Sequence, residues 1–166
     1  SDGLAADSIS PADAAWLAAL PLTLSPAPGV LAFHATPDDD ATYLLSTVDA
    51  DGSRPARTAE VVERLGDAAS GWDLLLCGHT HLARQVTLPS GTLVVNPGSV
   101  GWPAYDDTAP FAHVMEAGTP HARYAVVDNS SGQWVADLRA IDYDWHAAAA
   151  VARANGRPDV ADALLT

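Results

Sequence analysis

Three short apolar runs in this chain each end on residues that carry polar chemistry. Val30-Leu31-Ala32-Phe33 runs into His34. Leu74-Leu75-Leu76-Cys77 runs into Gly78-His79-Thr80-His81, and Thr92-Leu93-Val94-Val95 into Asn96-Pro97-Gly98-Ser99. A continuous apolar run of four residues bounded by turn residues reads as a buried strand. Placed side by side, three such strands bring their polar ends to one sheet edge, where open α/β sheets place their ligand sites. The pattern constrains the chain to a central buried sheet with its chemistry at one rim.

Gly78-His79-Thr80-His81 carries the strongest chemical signal. Imidazole is the commonest metal ligand near neutral pH, and Gly78 allows a tight turn or a close approach. Other readings are excluded by composition. Net charge is −13, and all eight basic residues are arginine. Such a surface repels nucleic-acid backbones, so generic nucleic-acid binding is not expected. The single cysteine, Cys77, excludes an intrachain disulfide framework and reads as a small buried hydrophobe. No apolar run is long enough to span a bilayer and no signal pattern opens the chain, which makes a cytoplasmic setting the default.

Along the chain, Ser10-Pro11-Ala12-Asp13 predicts a capped helix to about residue 20, with Trp16, Leu17 and Leu20 on one face. Pro26-Ala27-Pro28-Gly29 reads as a turn, with almost nothing upstream of His34 to form a first strand. Residues 35–55 read as a long acidic loop containing at most one helical turn, and 58–69 as a helix. A hairpin is predicted about Pro89-Ser90-Gly91 and another about Asn129-Ser130-Ser131-Gly132. Residues 102–120 read as irregular. Asp144 caps a helix through residue 151, and Pro158 starts a last one. The order of elements predicts an α/β fold with mixed sheets.

Together, His34 in Phe33-His34-Ala35-Thr36-Pro37, Gly78-His79-Thr80-His81 and Asn96-Pro97-Gly98-Ser99 resemble the C-terminal part of a calcineurin-like metallophosphoesterase, in its compact prokaryotic phosphodiesterase branch. The closing pattern Ala122-Arg123-Tyr124-Ala125-Val126-Val127-Asp128, Trp134 and Asp142-Tyr143-Asp144 fits as well. The resemblance implies a sandwich of two mixed sheets flanked by helices, and phosphoester hydrolysis at two divalent metal ions, commonly Mn, Fe or Zn. It implies that His34 and His79 bind one metal and His81 its neighbour. Asn96 and Ser99 read equally well as stabilising a tight turn through side-chain to backbone hydrogen bonds or as standing beside a substrate, and Trp102, between Gly101 and Pro103 in the following loop, is the tryptophan expected near a substrate.

None of the family's upstream motifs, Asp-x-His, Gly-Asp-x-x-Asp and Gly-Asn-His-[Asp/Glu], precedes His34 in these residues. Residues 1–166 are therefore expected to be the C-terminal portion of one domain, with no catalytic residue assigned within it. A preceding segment or second chain would complete the site, and the chain alone would be inactive. Ala35 stands where the family usually has glycine, which costs about 1 kcal/mol or more if the position needs a positive φ. The alternative is a catalytically incomplete module with a metal-binding or scaffold role. A structural zinc site is a third reading, weakened by the single cysteine. Substrate identity and oligomeric state, homo-oligomer included, stay open.

Overall fold

The computed structural model describes residues 2–165. Two helices lead, α1 (Asp2–Ser8) and α2 (Pro11–Ala18). Strands β1 (Thr23–Ala27) and β2 (Val30–Phe33) follow, then the hairpin β3 (Ser46–Asp49) and β4 (Gly52–Pro55). Helix α3 (Thr58–Leu65) continues into a 3-10 turn (Gly66–Ala69). Strands β5 (Leu74–Leu76), β6 (Arg84–Thr87) and β7 (Leu93–Asn96) lead to two further hairpins. These are β8 (Ala104–Asp107) with β9 (His113–Glu116), and β10 (Ala122–Asp128) with β11 (Val135–Ile141). Helices α4 (Trp145–Ala154) and α5 (Pro158–Leu165) close the chain.

The central sheet runs β1-β2-β5-β7-β6. Its three inner strands are parallel and level. Val30 aligns with Leu74 and Leu93, and Ala32 with Leu76 and Val95. The outer two strands are antiparallel to their neighbours. The level register brings His34, Gly78 and Asn96 to one rim. There the Cys77 N–H donates to the Val95 carbonyl at 2.9 Å, and the Gly78 N–H donates to that of His34 at 2.8 Å.

Side chains alternate across the sheet, so both faces need cover. Leu31, Phe33, Leu75, Cys77 and Val94 pack with Leu44, Leu45 and the Val61–Leu65 face of α3. Val30, Leu74, Leu93 and Val95 pack on the other face against Ala125, Val127, Trp134, Ala136 and Leu138 of the β10–β11 hairpin. Each fully buried Leu or Val contributes about 1.5–3 kcal/mol, so these two layers hold the rim in place. Helices α4 and α5 form a separate small core around Ala149, Ala161 and Leu164.

Several expectations from sequence are corrected. Pro26 lies inside β1, an edge strand whose register shifts between Leu24 and Ala27. An edge or a bulge tolerates proline because the missing N–H is not needed there. So a strand does precede β2. Residues 35–55 hold the β3–β4 hairpin, and 102–120 hold β8–β9. Their strands are four residues long and mix polar with apolar residues, so no clear periodicity marks them. Helix α2 has its predicted capping box, Ser10 with Asp13. Its apolar residues bury nothing: Trp16 is 63% exposed and Leu17 47%. Among the described residues Ala35 does not have a positive φ, so its Cβ carries no such penalty.

Candidate metal centre

The two histidines of the Gly78-His79-Thr80-His81 segment sit in an unusual backbone. His79 has φ 66° and His81 φ 61°, and they are the only non-glycine residues with positive φ among those described. The Thr80 N–H donates to the Gly78 carbonyl at 2.8 Å. An i to i+2 bond around a positive-φ residue is the strained kind of γ-turn. Such strain costs about 1–3 kcal/mol per residue and persists only where the surroundings over-determine it.

Those surroundings come largely from Asn96 at the end of β7. Its amide Nδ2 donates to the Gly78 carbonyl at 2.6 Å and to Thr80 Oγ1 at 3.0 Å. Its Oδ1 accepts from the Gly98 N–H at 2.9 Å. Asn96 and Thr80 are each 1% exposed. One buried amide thus ties the histidine loop to the following turn. Ser99 braces that turn from the other side, its hydroxyl oxygen accepting from the Trp102 N–H at 3.2 Å.

The strand ends bring the imidazoles together as the register requires. His34 Nε2 stands 3.1 Å from His79 Nδ1. His79 Nε2 lies 3.1 Å from the Ala41 carbonyl, which can only accept, so Nε2 carries the proton and Nδ1 keeps its lone pair. His81 Nδ1 likewise donates to the Trp102 carbonyl at 2.9 Å, leaving its Nε2 lone pair unengaged. A backbone carbonyl fixing the tautomer of a ring whose other nitrogen is unprotonated is the usual second layer behind a metal-binding histidine.

Aromatic rings wall the group. Tyr43 packs on His79 with centroids 4.9 Å apart, and Tyr105 meets His81 edge-on at 5.3 Å. The Tyr105 hydroxyl donates to that of Tyr43 at 3.2 Å. The Trp102 ring centroid stands 6.0 Å from that of His81 and 5.1 Å from the Arg157 guanidinium. The Trp102 indole N–H is buried without an acceptor. His113 is buried behind Tyr43, its Nδ1 donating to the Phe111 carbonyl at 2.7 Å.

Burial lowers the pKa of both His79 and His81, and for His79 the neighbouring His34 adds to the effect. Both rings are thereby biased toward the neutral form that ligates metal. Burial also raises the Tyr43 and Tyr105 phenols, keeping them protonated donors. Cys77, at the strand end beside this group, is pushed up to about 12 by burial and is no thiolate ligand.

Two imidazole nitrogens bound about 2.1 Å from one ion lie about 3 Å apart when they subtend a right angle. The His34–His79 spacing of 3.1 Å therefore fits a shared ion, and neutral imidazoles suit borderline divalent metals. Among the described residues no three His, Cys, Asp or Glu side chains form a metal-holding group, so what is present fits part of a centre. Asp38, Asp39 and Asp40 do not add to it. Asp39 accepts from the Ala41 N–H at 3.0 Å and from the Thr42 hydroxyl, which ties it into its own turn.

Tyr43, Tyr105 and His113 were not singled out as site residues from the sequence. Tyr43 precedes Leu44-Leu45 and reads as part of an apolar patch, and the other two lie in the unrecognised β8–β9 hairpin. The two strands that face each other across 102–120 are each four residues long and give only a weak local signal for Tyr105 and His113.

Residues 30–118 match the model of the calcineurin-like phosphoesterase superfamily domain. The fold resembles a metallophosphoesterase from Sphaerobacter thermophilus, with a TM-score of 0.67 and 18% identity over 96% of this chain and 63% of that one. It also resembles the hypothetical protein PH1004 from Pyrococcus horikoshii OT3, with a TM-score of 0.63 and 17% identity over 90% of this chain and 52% of that one. The chain thus spans less than two thirds of either structure. No curated protein matches it.

Proposed function

The chain belongs to the calcineurin-like phosphoesterase superfamily, and from that premise we propose that it forms part of a metal-dependent phosphodiesterase or phosphatase. The observation that supports this most is the His34–His79 pair, 3.1 Å apart at the rim of the parallel strands, with His81 beside it. In this reading His34 and His79 hold one divalent ion, manganese, iron or zinc, and His81 holds a second. When bound, a pair of such ions neutralises phosphoryl charge and activates the hydrolytic water.

The chain's own residues prepare that site. The Ala41 and Trp102 carbonyls fix the tautomers of His79 and His81, so each ring presents a lone pair. Tyr43 packs on the His79 ring, and Tyr105 and Trp102 on that of His81, which limits the movement of both imidazoles. Asn96 holds the strained loop in register rather than reaching outward, because its amide is fully engaged. Ser99 presents Trp102 at the border of the site, where a substrate's body would rest.

The carboxylates of a two-ion centre would come from an upstream segment or a second chain, and this chain alone would be inactive. The alternative, a catalytically incomplete module, draws on the lack of a third acidic, histidine or cysteine ligand among the described residues. The test is metal content and turnover of a phosphodiester by the entire gene product. Stoichiometric divalent metal with turnover supports the enzyme; metal-free, inactive protein that carries upstream carboxylate motifs overturns it.

A further inference from the structure

A cavity of about 400 Å³ lies beside the histidine loop, within the size range of small-ligand pockets. It is framed by Leu82, Ala83 and Arg84 directly after His81, by Ser53 and Arg54 of β4, by Glu116 and Ala117 at the end of β9, and by Arg123 of β10. Strands β4 and β9 are tied here by the Ser53 hydroxyl, which donates to the Val114 carbonyl at 2.8 Å.

The charge of this cavity runs against that of the protein. The chain has net charge −13 and eight arginines, yet three of the eight, Arg54, Arg84 and Arg123, line this one cavity. Arg54 is neutralised by Asp49 and Glu60. Arg84 and Arg123 pair with no carboxylate among the described residues. Arg84 donates only to the Leu45 and Ala56 carbonyls. Arg123 donates to Thr119 Oγ1 at 2.8 Å and to the Ala117 carbonyl at 3.4 Å, and its buried Nε–H has no acceptor.

Guanidinium groups retain five donors, and those of Arg84 and Arg123 are only partly used. Two part-buried positive charges without a counter-ion, in a protein that carries 21 acidic residues, leave an unmet demand for negative charge. Arginine matches an oxyanion better than any other side chain because its planar fork can bond two oxygens at once. Glu116 is the opposing feature, since its carboxylate lines the same space and repels an anion.

We propose that this cavity binds the oxyanion group, phosphate or carboxylate, of a small organic molecule, held by Arg84 and Arg123 against the apolar wall formed by Leu82 and Ala83. The assignment does not depend on the metal centre, and its test keeps the two apart. The protein is titrated calorimetrically with phenyl phosphate and with benzoate, each with and without a metal chelator. Saturable one-to-one binding of at least one probe, unchanged by the chelator, is expected, and the better probe identifies the oxyanion. Arg123→Gln should weaken it about tenfold or more, the scale of a lost charged hydrogen bond. Glu116→Gln, an exposed position that leaves the framework intact, should tighten it several-fold. No saturable binding of either probe, or binding abolished by the chelator, overturns the proposal. So does wild-type affinity in both variants when their circular dichroism shows them folded.

Discussion

His34 Nε2 and His79 Nδ1 stand 3.1 Å apart, carried by the ends of two adjacent parallel strands whose residues align one to one. Their nearness is a consequence of register. Val30 pairs with Leu74 and Ala32 with Leu76, so residues just beyond each strand face each other at the rim. A one-residue slip would turn every side chain of β2 to the opposite face. It would swap Leu31 and Phe33 out of the layer shaped by α3 onto the face packed by the β10–β11 hairpin, and would separate the histidines at the same time, so the core that stabilises the sheet also sets the site.

The backbone at His79 and His81 leads to a test of stored strain. Both positions have positive φ, which glycine adopts freely and alanine does not. His79→Gly and His81→Gly are each expected to be more stable than the matching alanine variant by about 1 kcal/mol. Urea denaturation curves check this, and equal stability of each pair would remove strain from the account.

Gly98 is held by two constraints. Its φ is 93°, and a Cβ there would stand 2.9 Å from Arg123 Cδ and 3.0 Å from Arg123 Cβ. Gly98→Ala should cost about 1–3 kcal/mol, read from the denaturation midpoint. It should also disturb the turn that Asn96 ties to the histidine loop. A neutral Gly98→Ala would mean that the turn relaxes freely.

Legibility from sequence followed the physics of each segment. The parallel strands were readable because they are buried on both faces and therefore continuously apolar. The helices α2, α3, α4 and α5 were readable from caps and periodicity, within a few residues at their ends. The hairpins β3–β4 and β8–β9 were not readable, since strands of only four residues of mixed polar and apolar character are too short for an alternation to stand out in the sequence. For the same reason Tyr43, Tyr105 and His113 escaped notice as neighbours of the histidines. Helix α2 was foreseen from its cap, but the exposure of Trp16 was not, because a cap fixes where a helix starts and not what it packs on.

Acid stability should depend on Glu60. Its carboxylate accepts from Arg54 Nη1 at 2.9 Å, Arg54 Nη2 at 2.7 Å and the Arg57 N–H at 2.6 Å, and the Arg54 hydrogen bonds hold its pKa well below the ordinary 4.5. A depressed carboxylate contributes stability above its unfolded value and loses it as pH falls toward the folded one. Wild-type protein should therefore lose melting temperature as pH drops below about 4.5, and Glu60→Gln should flatten that part of the curve. Parallel curves would show that the pair contributes nothing.

Cys77 should be chemically silent in the folded protein. It is 6% exposed, and burial pushes its thiol up to about 12. The thiolate is the reactive form. At pH 8 a disulfide reagent should leave Cys77 unmodified until denaturant is added. A raised pKa also means that its contribution to stability is full below the ordinary value of 9.0 and is lost as pH rises toward 12. Rapid modification of native protein would contradict the packing described for β5.

The most direct test of the proposed function is hydrolysis of bis-p-nitrophenyl phosphate with manganese by the entire gene product and by its His34→Ala, His79→Asn and His81→Asn variants. Asparagine suits the last two because it tolerates positive φ, so the loop is preserved while the imidazole is lost. The account predicts turnover by the unaltered protein and a loss of about 100-fold or more in each variant. Undiminished turnover in all three variants would contradict it.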